Sequence, residues 1–147
     1  MIRFRGSFLH TIDHKGRLSV PNRFRDALKS GGDDRLVLTK GANGCLSAYP
    51  MERWLEIEEE VDRLPAGEEK DRFIRHFISP AHDCGVDRMG RVLVPQQLRE
   101  VAGLDKDVMI AGALSKFEIW DLARWEEYMK SSESKAHDLL KVDSIRL

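Results

Sequence analysis

One ten-residue phrase is written twice in this chain, and a duplicated phrase restricts the fold sharply because both copies must adopt one local geometry. The first copy is Ile12-Asp13-His14-Lys15-Gly16-Arg17-Leu18-Ser19-Val20-Pro21, and the second is Val86-Asp87-Arg88-Met89-Gly90-Arg91-Val92-Leu93-Val94-Pro95. A constant offset of 74 superimposes Asp13 on Asp87, Gly16 on Gly90, Arg17 on Arg91 and Pro21 on Pro95. The chain therefore reads as two copies of one unit. At 147 residues and 41% hydrophobic, the whole can close a core. Either half alone is marginal and has to pack on another, within or between chains.

Both copies run in the same order. Phe4 to Ile12 alternates well enough for a strand with Phe8, His10 and Ile12 on one side, and Arg17 to Val20 resumes extended character after the Lys15-Gly16 turn. Pro21 stands where the first residue of a helix belongs, since its missing N–H is an unpaired donor position there. A short helix from Asn22 carries Phe24 and Leu28 on one face, with Arg23 and Arg25 pointing elsewhere, and Gly31-Gly32 stops it. Leu36 to Leu38 and Cys45 to Tyr49 flank the turn Lys40 to Gly44 as a strand-turn-strand signal. The second unit repeats this with Val108 to Ala111, a turn around Gly112 to Ser115, and Phe117 to Trp120. Helices follow from Met51 and from near Leu122. Their tryptophans, Trp54 and Trp125, match at an offset of 71, which places a three-residue deletion in the intervening turns.

Between the units, Trp54, Ile57, Val61 and Leu64 recur at helical steps, as do Phe73, Ile74, Phe77 and Ile78, with Pro65-Ala66-Gly67 between the two runs. An acidic helical hairpin bridges the repeats. After Ser131 the pattern allows a short helix over Ala136 to Val142 or a frayed tail. The resulting class is α+β, with two pseudo-symmetric β-rich units, an inserted helical hairpin and short helices.

The formal net charge of −1 excludes a uniformly basic nucleic-acid coat, but the charge is segregated. Residues 1 to 40 hold nine Lys/Arg against four acids, a net of +5. Residues 51 to 71 hold nine acids against three bases, a net of −6. Such a subunit is electrically two-faced. Cys45 and Cys84 form no C-x-x-C pair and no disulfide framework, which fits a reducing cytoplasm. No apolar run approaches the length of a bilayer span, and the start Met1 to Phe8 lacks an apolar signal core, so neither export nor membrane embedding is expected.

In the repeated phrase, Gly16 and Gly90 stand where a tight strand connection needs positive φ. Asp13 and Asp87, three residues earlier, can accept hydrogen bonds from the turn's own N–H groups. Pro21 and Pro95 close the phrase, and these six residues form its structural frame. Arg17 and Arg91 then project from a ribbon edge. The plainest reading is that each only pairs with its own aspartate, a surface ion pair contributing about 0 to 1 kcal/mol. Repetition weighs against that, as do His14, Lys15 and Arg88 at the same tips. Arg-bearing turns on a two-stranded ribbon can enter a DNA groove.

The order D-x-K-G-R-(x)3-P-x-x-(x)-R in the first half, D-x-x-G-R-(x)3-P in the second, the Trp-containing helices and the closing Lys116 to Asp121 together resemble the MraZ family of bacterial transcriptional regulators. The similarity covers Met1 to Glu127. It implies two AbrB-like (SpoVT-AbrB) swapped-hairpin units, here 1–54 and 79–127, with a helical linker at 55–78 and a tail at 128–147. It further implies a ring-shaped homo-oligomer, associated with the nucleoid, that binds spaced direct repeats in double-stranded DNA upstream of the division and cell-wall gene cluster, usually as a repressor. The family's DNA-contacting motif falls on Asp13 to Arg17 and Asp87 to Arg91, which marks Lys15, Arg17 and Arg91 as contacts, with Arg88 and His14 beside them. Met89 departs from Lys15 and predicts a weaker phosphate grip at the second tip.

Other features carry less. His82-Asp83-Cys84 has no partner at metal-ligand spacing, and the Gly41 to Gly44 loop lacks the Gly-Lys-Ser/Thr ending of a phosphate loop, so neither metal nor cofactor is expected. Glu58-Glu59-Glu60 reads as a solvated face rather than as acid-base machinery. The aromatics read as core or interface packing, with Trp54 and Phe73 as exposed oligomer-contact candidates. No nucleophile-base pair supports a hydrolase or methyl-transfer enzyme, so neither catalysis nor a small-molecule substrate is expected. The competing reading is a protein-binding scaffold, or an inhibitor of a partner enzyme, acting through the acidic helices.

Overall fold

A computed structural model describes residues 2–141. Eight strands and five α-helices follow in the order β1 (Ser7–Thr11), β2 (Arg17–Ser19), α1 (Asn22–Ser30), β3 (Arg35–Lys40), β4 (Leu46–Pro50), α2 (Met51–Asp62), α3 (Glu68–Phe73), β5 (His82–Gly85), β6 (Arg91–Leu93), α4 (Gln96–Ala102), β7 (Asp107–Ala113), β8 (Lys116–Asp121) and α5 (Leu122–Asp138). The unit β-β-α-β-β-α therefore occurs twice, with α3 and a π-helical turn over Ile74–Ile78 inserted between the copies.

The strands form a six-stranded antiparallel sheet in the order β1-β7-β8-β4-β3-β5 and a separate two-stranded ribbon, β2-β6. The order reads the same from either edge when each strand is replaced by its counterpart. The first strand of each unit is not paired within its own unit's share of that sheet. β1 lies on β7, with Ser7 opposite Ala111 and Thr11 opposite Asp107, while β5 lies on β3, with Arg35 opposite Gly85. The halves thus interchange their first strands and meet again where β4 pairs with β8.

One core serves both halves. Phe4, Phe24 and Phe117 meet with ring centroids 5.0 to 5.2 Å apart, joining the segment before β1, helix α1 and strand β8 of the other unit. Leu18, Leu28, Leu46, Leu98, Ile110 and Ile119 are among the side chains buried with them. Fully burying each such side chain contributes about 1.5 to 3 kcal/mol, and the side chains come from both units. A second cluster of Val37, Met51 and Trp54 lies beneath the inserted helices, where the Thr39 hydroxyl donates to the Phe77 carbonyl at 2.6 Å.

Four details depart from expectation. Pro21 precedes its helix instead of beginning it: its ψ is extended at 139°, as is that of its counterpart Pro95 at 143°, and the Pro21 carbonyl accepts the N–H of Phe24 and Arg25 at 2.9 Å. Gly112 lies inside β7, where a Cβ would sit 2.5 Å from the Phe4 carbonyl, and the turn is Leu114-Ser115. Trp54 is only 5% exposed and so offers no outer surface, whereas Phe73 is 39% exposed. Helix α5 runs unbroken from Leu122 to Asp138, followed by a 3-10 turn to Lys141, so the segment after Ser131 continues it; the expected helical residue Val142 lies outside the described residues. The three-residue deletion falls between β7 and β8, which are joined by two residues where β3 and β4 are joined by five.

Candidate nucleic-acid interface

The two repeated turns are built alike. In the first, Asp13 Oδ1 accepts the backbone N–H of Lys15 and of Arg17, each at 2.9 Å, and the Gly16 N–H donates to the Asp13 carbonyl at 2.9 Å. In the second, Asp87 Oδ1 accepts from Met89 at 2.8 Å and from Arg91 at 2.9 Å, and the Gly90 N–H donates to the Asp87 carbonyl at 2.9 Å. The glycines take φ of +86° and +78°, a region closed to most side chains. The same closed network in both turns accounts for aspartate and glycine standing at the same places in the two copies.

The remaining carboxylate oxygen grips the arginine. Asp13 Oδ2 accepts from Arg17 Nε at 2.7 Å, and Asp87 Oδ2 accepts from Arg91 Nε at 3.3 Å. Backbone donation from Arg17, helped by its guanidinium, holds the Asp13 carboxyl at about 2 against an ordinary 3.8. Asp87 is lowered in the same direction, chiefly by the backbone N–H of Arg91. Both aspartates are therefore anionic throughout the neutral range. Only Nε of each arginine is used in these bonds, which leaves the four Nη N–H donors of each guanidinium outside the pairing with aspartate.

The β2-β6 ribbon carries both arginines on one surface. Arg17 is opposite Leu93 and Ser19 opposite Arg91, while Leu18 and Val92, the central pair, turn into the core. Arg17 and Arg91 are therefore diagonal neighbours on the outer face, roughly 7 to 8 Å apart by strand geometry. Ser19 and Leu93 fill the other diagonal, Leu93 being 58% exposed. His14 and Lys15 at one end and Arg88 and Met89 at the other are all exposed, Met89 at 70%. The fold thus puts Arg17 and Arg91 on one face of the ribbon and leaves His14, Lys15 and Arg88 exposed at its two ends.

Two further arginines belong to the site: Arg25, which closes the first-half motif but was given no role by the sequence, and Arg99, which the second-half motif stops short of. Arg25 Nε donates to the Val20 carbonyl at 3.1 Å and Arg99 Nε to the Val94 carbonyl at 3.0 Å. Their guanidinium groups lie where Gly90 and Gly16, respectively, would carry a Cβ. The signal was present, because Arg25 and Arg99 share the 74-residue offset and stand four places after the paired prolines.

Elsewhere the acidic side chains spread over α2 and α3. Arg53 is bound there to both Glu56 and Glu60 at 3.0 Å, while Glu58, Glu59 and Glu60 face solvent. Cys45 and Cys84 are buried, and desolvation pushes their thiols up to about 12 and about 11. His82 binds the Pro80 carbonyl through Nδ1 at 2.8 Å. Among the described residues no three metal-ligating side chains gather, and no helix is long and apolar enough to cross a membrane.

The chain is thus a duplicated α+β protein with interchanged strands, carrying matched cation-bearing turns at the two ends of one ribbon. The family model described as "MraZ protein, putative antitoxin-like" matches residues 3–76 and again 77–142. Proteins named transcriptional regulator MraZ are similar along most of their length. The one from Desulfitobacterium hafniense (strain Y51) is 46% identical over 131 residues, covering 88% of this chain and 89% of that protein. Those of Lachnoclostridium phytofermentans (46% over 123 residues, 84% of each chain) and Moorella thermoacetica (44% over 133 residues, 90% of each) agree. The chain belongs to the MraZ family.

Proposed function

We propose that this protein is a transcriptional regulator that reads double-stranded DNA through the outer face of the β2-β6 ribbon. The observation that carries the reading is the pair of arginines, Arg17 and Arg91, held by Nε on matched turns and set diagonally on one face of the ribbon. A guanidinium with its Nη donors free of the aspartate suits a bidentate contact to guanine O6 and N7, or a bridge between phosphates. The major groove, about 12 Å wide, admits a two-stranded ribbon. Lys15, Arg88 and His14 supply phosphate attraction beside Arg17 and Arg91, and the acidic helices α2 and α3 disfavour DNA on their own side. Chemistry of this kind binds without catalysing, and the names carried by the relatives support the same role.

The finer reading rests on the family resemblance. The interchanged strands fit an AbrB-type swapped-hairpin barrel with units at 1–54 and 79–127. One bidentate arginine adds roughly 1 to 3 kcal/mol of discrimination, too little to select a genomic site. A ring of subunits engaging successive direct repeats would gain about 10² to 10⁴ in avidity. Such an assembly, bound upstream of the division and cell-wall genes, would act in the nucleoid as a repressor.

Titration of repeat-containing and scrambled duplexes over a salt series tests this. Arg17→Ala and Arg91→Ala should each cut the preference for repeats by roughly 5- to 150-fold, equivalent to 1 to 3 kcal/mol. The salt slope should also become shallower by about 0.9 for each phosphate that the variant no longer neutralises. An unchanged preference in the double variant overturns the assignment of the tips.

A further inference from the structure

We propose that Arg25 and Arg99 are positioning residues that each hold the turn of the opposite unit, so that neither tip is set by its own hairpin alone. Resting on the reading of the tips given above for its consequence in DNA binding, the inference itself stands on geometry found twice in one molecule.

The contact is reciprocal. The Val20 N–H donates to the Gly90 carbonyl at 2.9 Å, and the Val94 N–H donates to the Gly16 carbonyl at 2.8 Å. Each valine therefore touches the other unit's turn with its N–H and receives a guanidinium at its own carbonyl. The arginine that bonds the Val20 carbonyl comes from α1, and it lies over Gly90, where a methyl group would overlap its Nη1 and Cζ. The arginine that bonds the Val94 carbonyl comes from α4 and lies over Gly16, whose Cβ would fall 2.7 Å from Arg99 Nε and 2.9 Å from the Val94 carbonyl oxygen. Glycine is thus demanded at these positions twice over, by positive φ and by the guanidinium that takes the side-chain space.

The consequence is a crossed dependence. Arg25 sits on the first unit but backs the turn that carries Met89 and Arg91; Arg99 sits on the second but backs the turn that carries Lys15 and Arg17. Beside the second turn, a cleft of about 260 Å³ lined by Arg25, Lys29, Asp34, Asp87 and Arg88 separates α1 from the tip. The Arg25 guanidinium crosses from helix to turn at that cleft. Both arginines are partly buried, as a clamp requires and a free phosphate anchor does not.

Arg25→Lys and Arg99→Lys keep the charge but lose the planar, Nε-bearing group, so they separate clamping from simple phosphate attraction. Hydrogen exchange read by mass spectrometry on the DNA-free protein is the first arm. Arg25→Lys should speed exchange of the Met89 to Arg91 amides by about tenfold, the order expected for loss of a charge-assisted hydrogen bond. It should leave Lys15 to Arg17 as in the parent, and Arg99→Lys should do the reverse. Acceleration in the arginine's own unit, in neither turn, or evenly through the β7 and β8 amides would overturn the proposal. In the second arm, repeat binding by Arg25→Lys should be non-additive with Arg91→Ala and additive with Arg17→Ala. Additivity with both would overturn the link between clamp and reading. If the parent fails to bind duplex DNA, the functional reading falls while the exchange arm still decides the clamp.

Discussion

Replacing Gly90 with alanine separates two demands that the turn makes on one residue. The first is conformational: at φ of +78° an L side chain costs about 1 to 2 kcal/mol, offset by about 0.4 to 1 kcal/mol because alanine restricts the unfolded chain. The second is spatial. The new methyl overlaps the Arg25 guanidinium, which must then leave the Val20 carbonyl that it now bonds at 3.1 Å. A hydrogen bond from a charged donor contributes about 1.5 to 3 kcal/mol. The expected loss is therefore about 2 to 4 kcal/mol, or roughly 2 to 4 °C in Tm for each kcal/mol in a chain of this size. Gly32→Ala supplies the reference, since Gly32 has φ of +84° and nothing within 4 Å of the added carbon. It should lose roughly 1 kcal/mol, the backbone cost alone. Urea unfolding of both variants, with and without Arg25→Ala, gives the comparison. Without Arg25, the cost of Gly90→Ala should fall to the Gly32→Ala value; an unchanged cost refutes the spatial account.

Other outcomes follow from the same geometry. Asp13 is held at about 2 in the fold against 3.8 ordinarily, so its contribution is complete above about pH 4 and lost as pH falls through about 2. Asp13→Asn should accordingly narrow the gap between urea midpoints at pH 5 and pH 2.5, and an unaltered gap would show that another group governs acid unfolding. Met89→Lys should tighten duplex binding with little change in sequence preference, because a point charge adds phosphate attraction; unimproved affinity would mean that position 89 does not face DNA. With Cys45 and Cys84 pushed up to about 12 and about 11 by burial, a disulfide reagent at pH 8 should label the folded protein far more slowly than the denatured one. Equal rates would contradict that burial.

The phrase Asp13 to Pro21 and its copy were legible because their constraints are local: an acid collects the N–H groups of the residues two and four places on, and a glycine between them supplies positive φ. Helix α1 was legible through Phe24 and Leu28 and through the glycines after it. Strand interchange was not, because alternation in Phe8, His10 and Ile12 says which face is buried but not whether the neighbour is β3 or β7. Gly112 misled for a related reason: a glycine signals a turn locally, yet here it admits the Phe4 backbone from a distant segment. Arg25 reads as a solvent-facing residue on an amphipathic helix, whereas in the fold it bonds the Val20 carbonyl and lies over Gly90 of the opposite unit's turn. The continuity of α5 past Ser131 was obscured by a serine-rich stretch that is poor in helix signals but tolerated in an already nucleated helix.

The interchange of β1 and β5 makes the peptide link between the halves almost incidental to their union. Each half surrenders a strand to the other and borrows one in return, so a nick in the Pro65-Ala66-Gly67 loop would divide the chain without dividing the molecule. In evolutionary terms the copies are bound partners more than neighbours. A change accepted in one has to suit the strand, the core and the turn that the other has placed in its keeping.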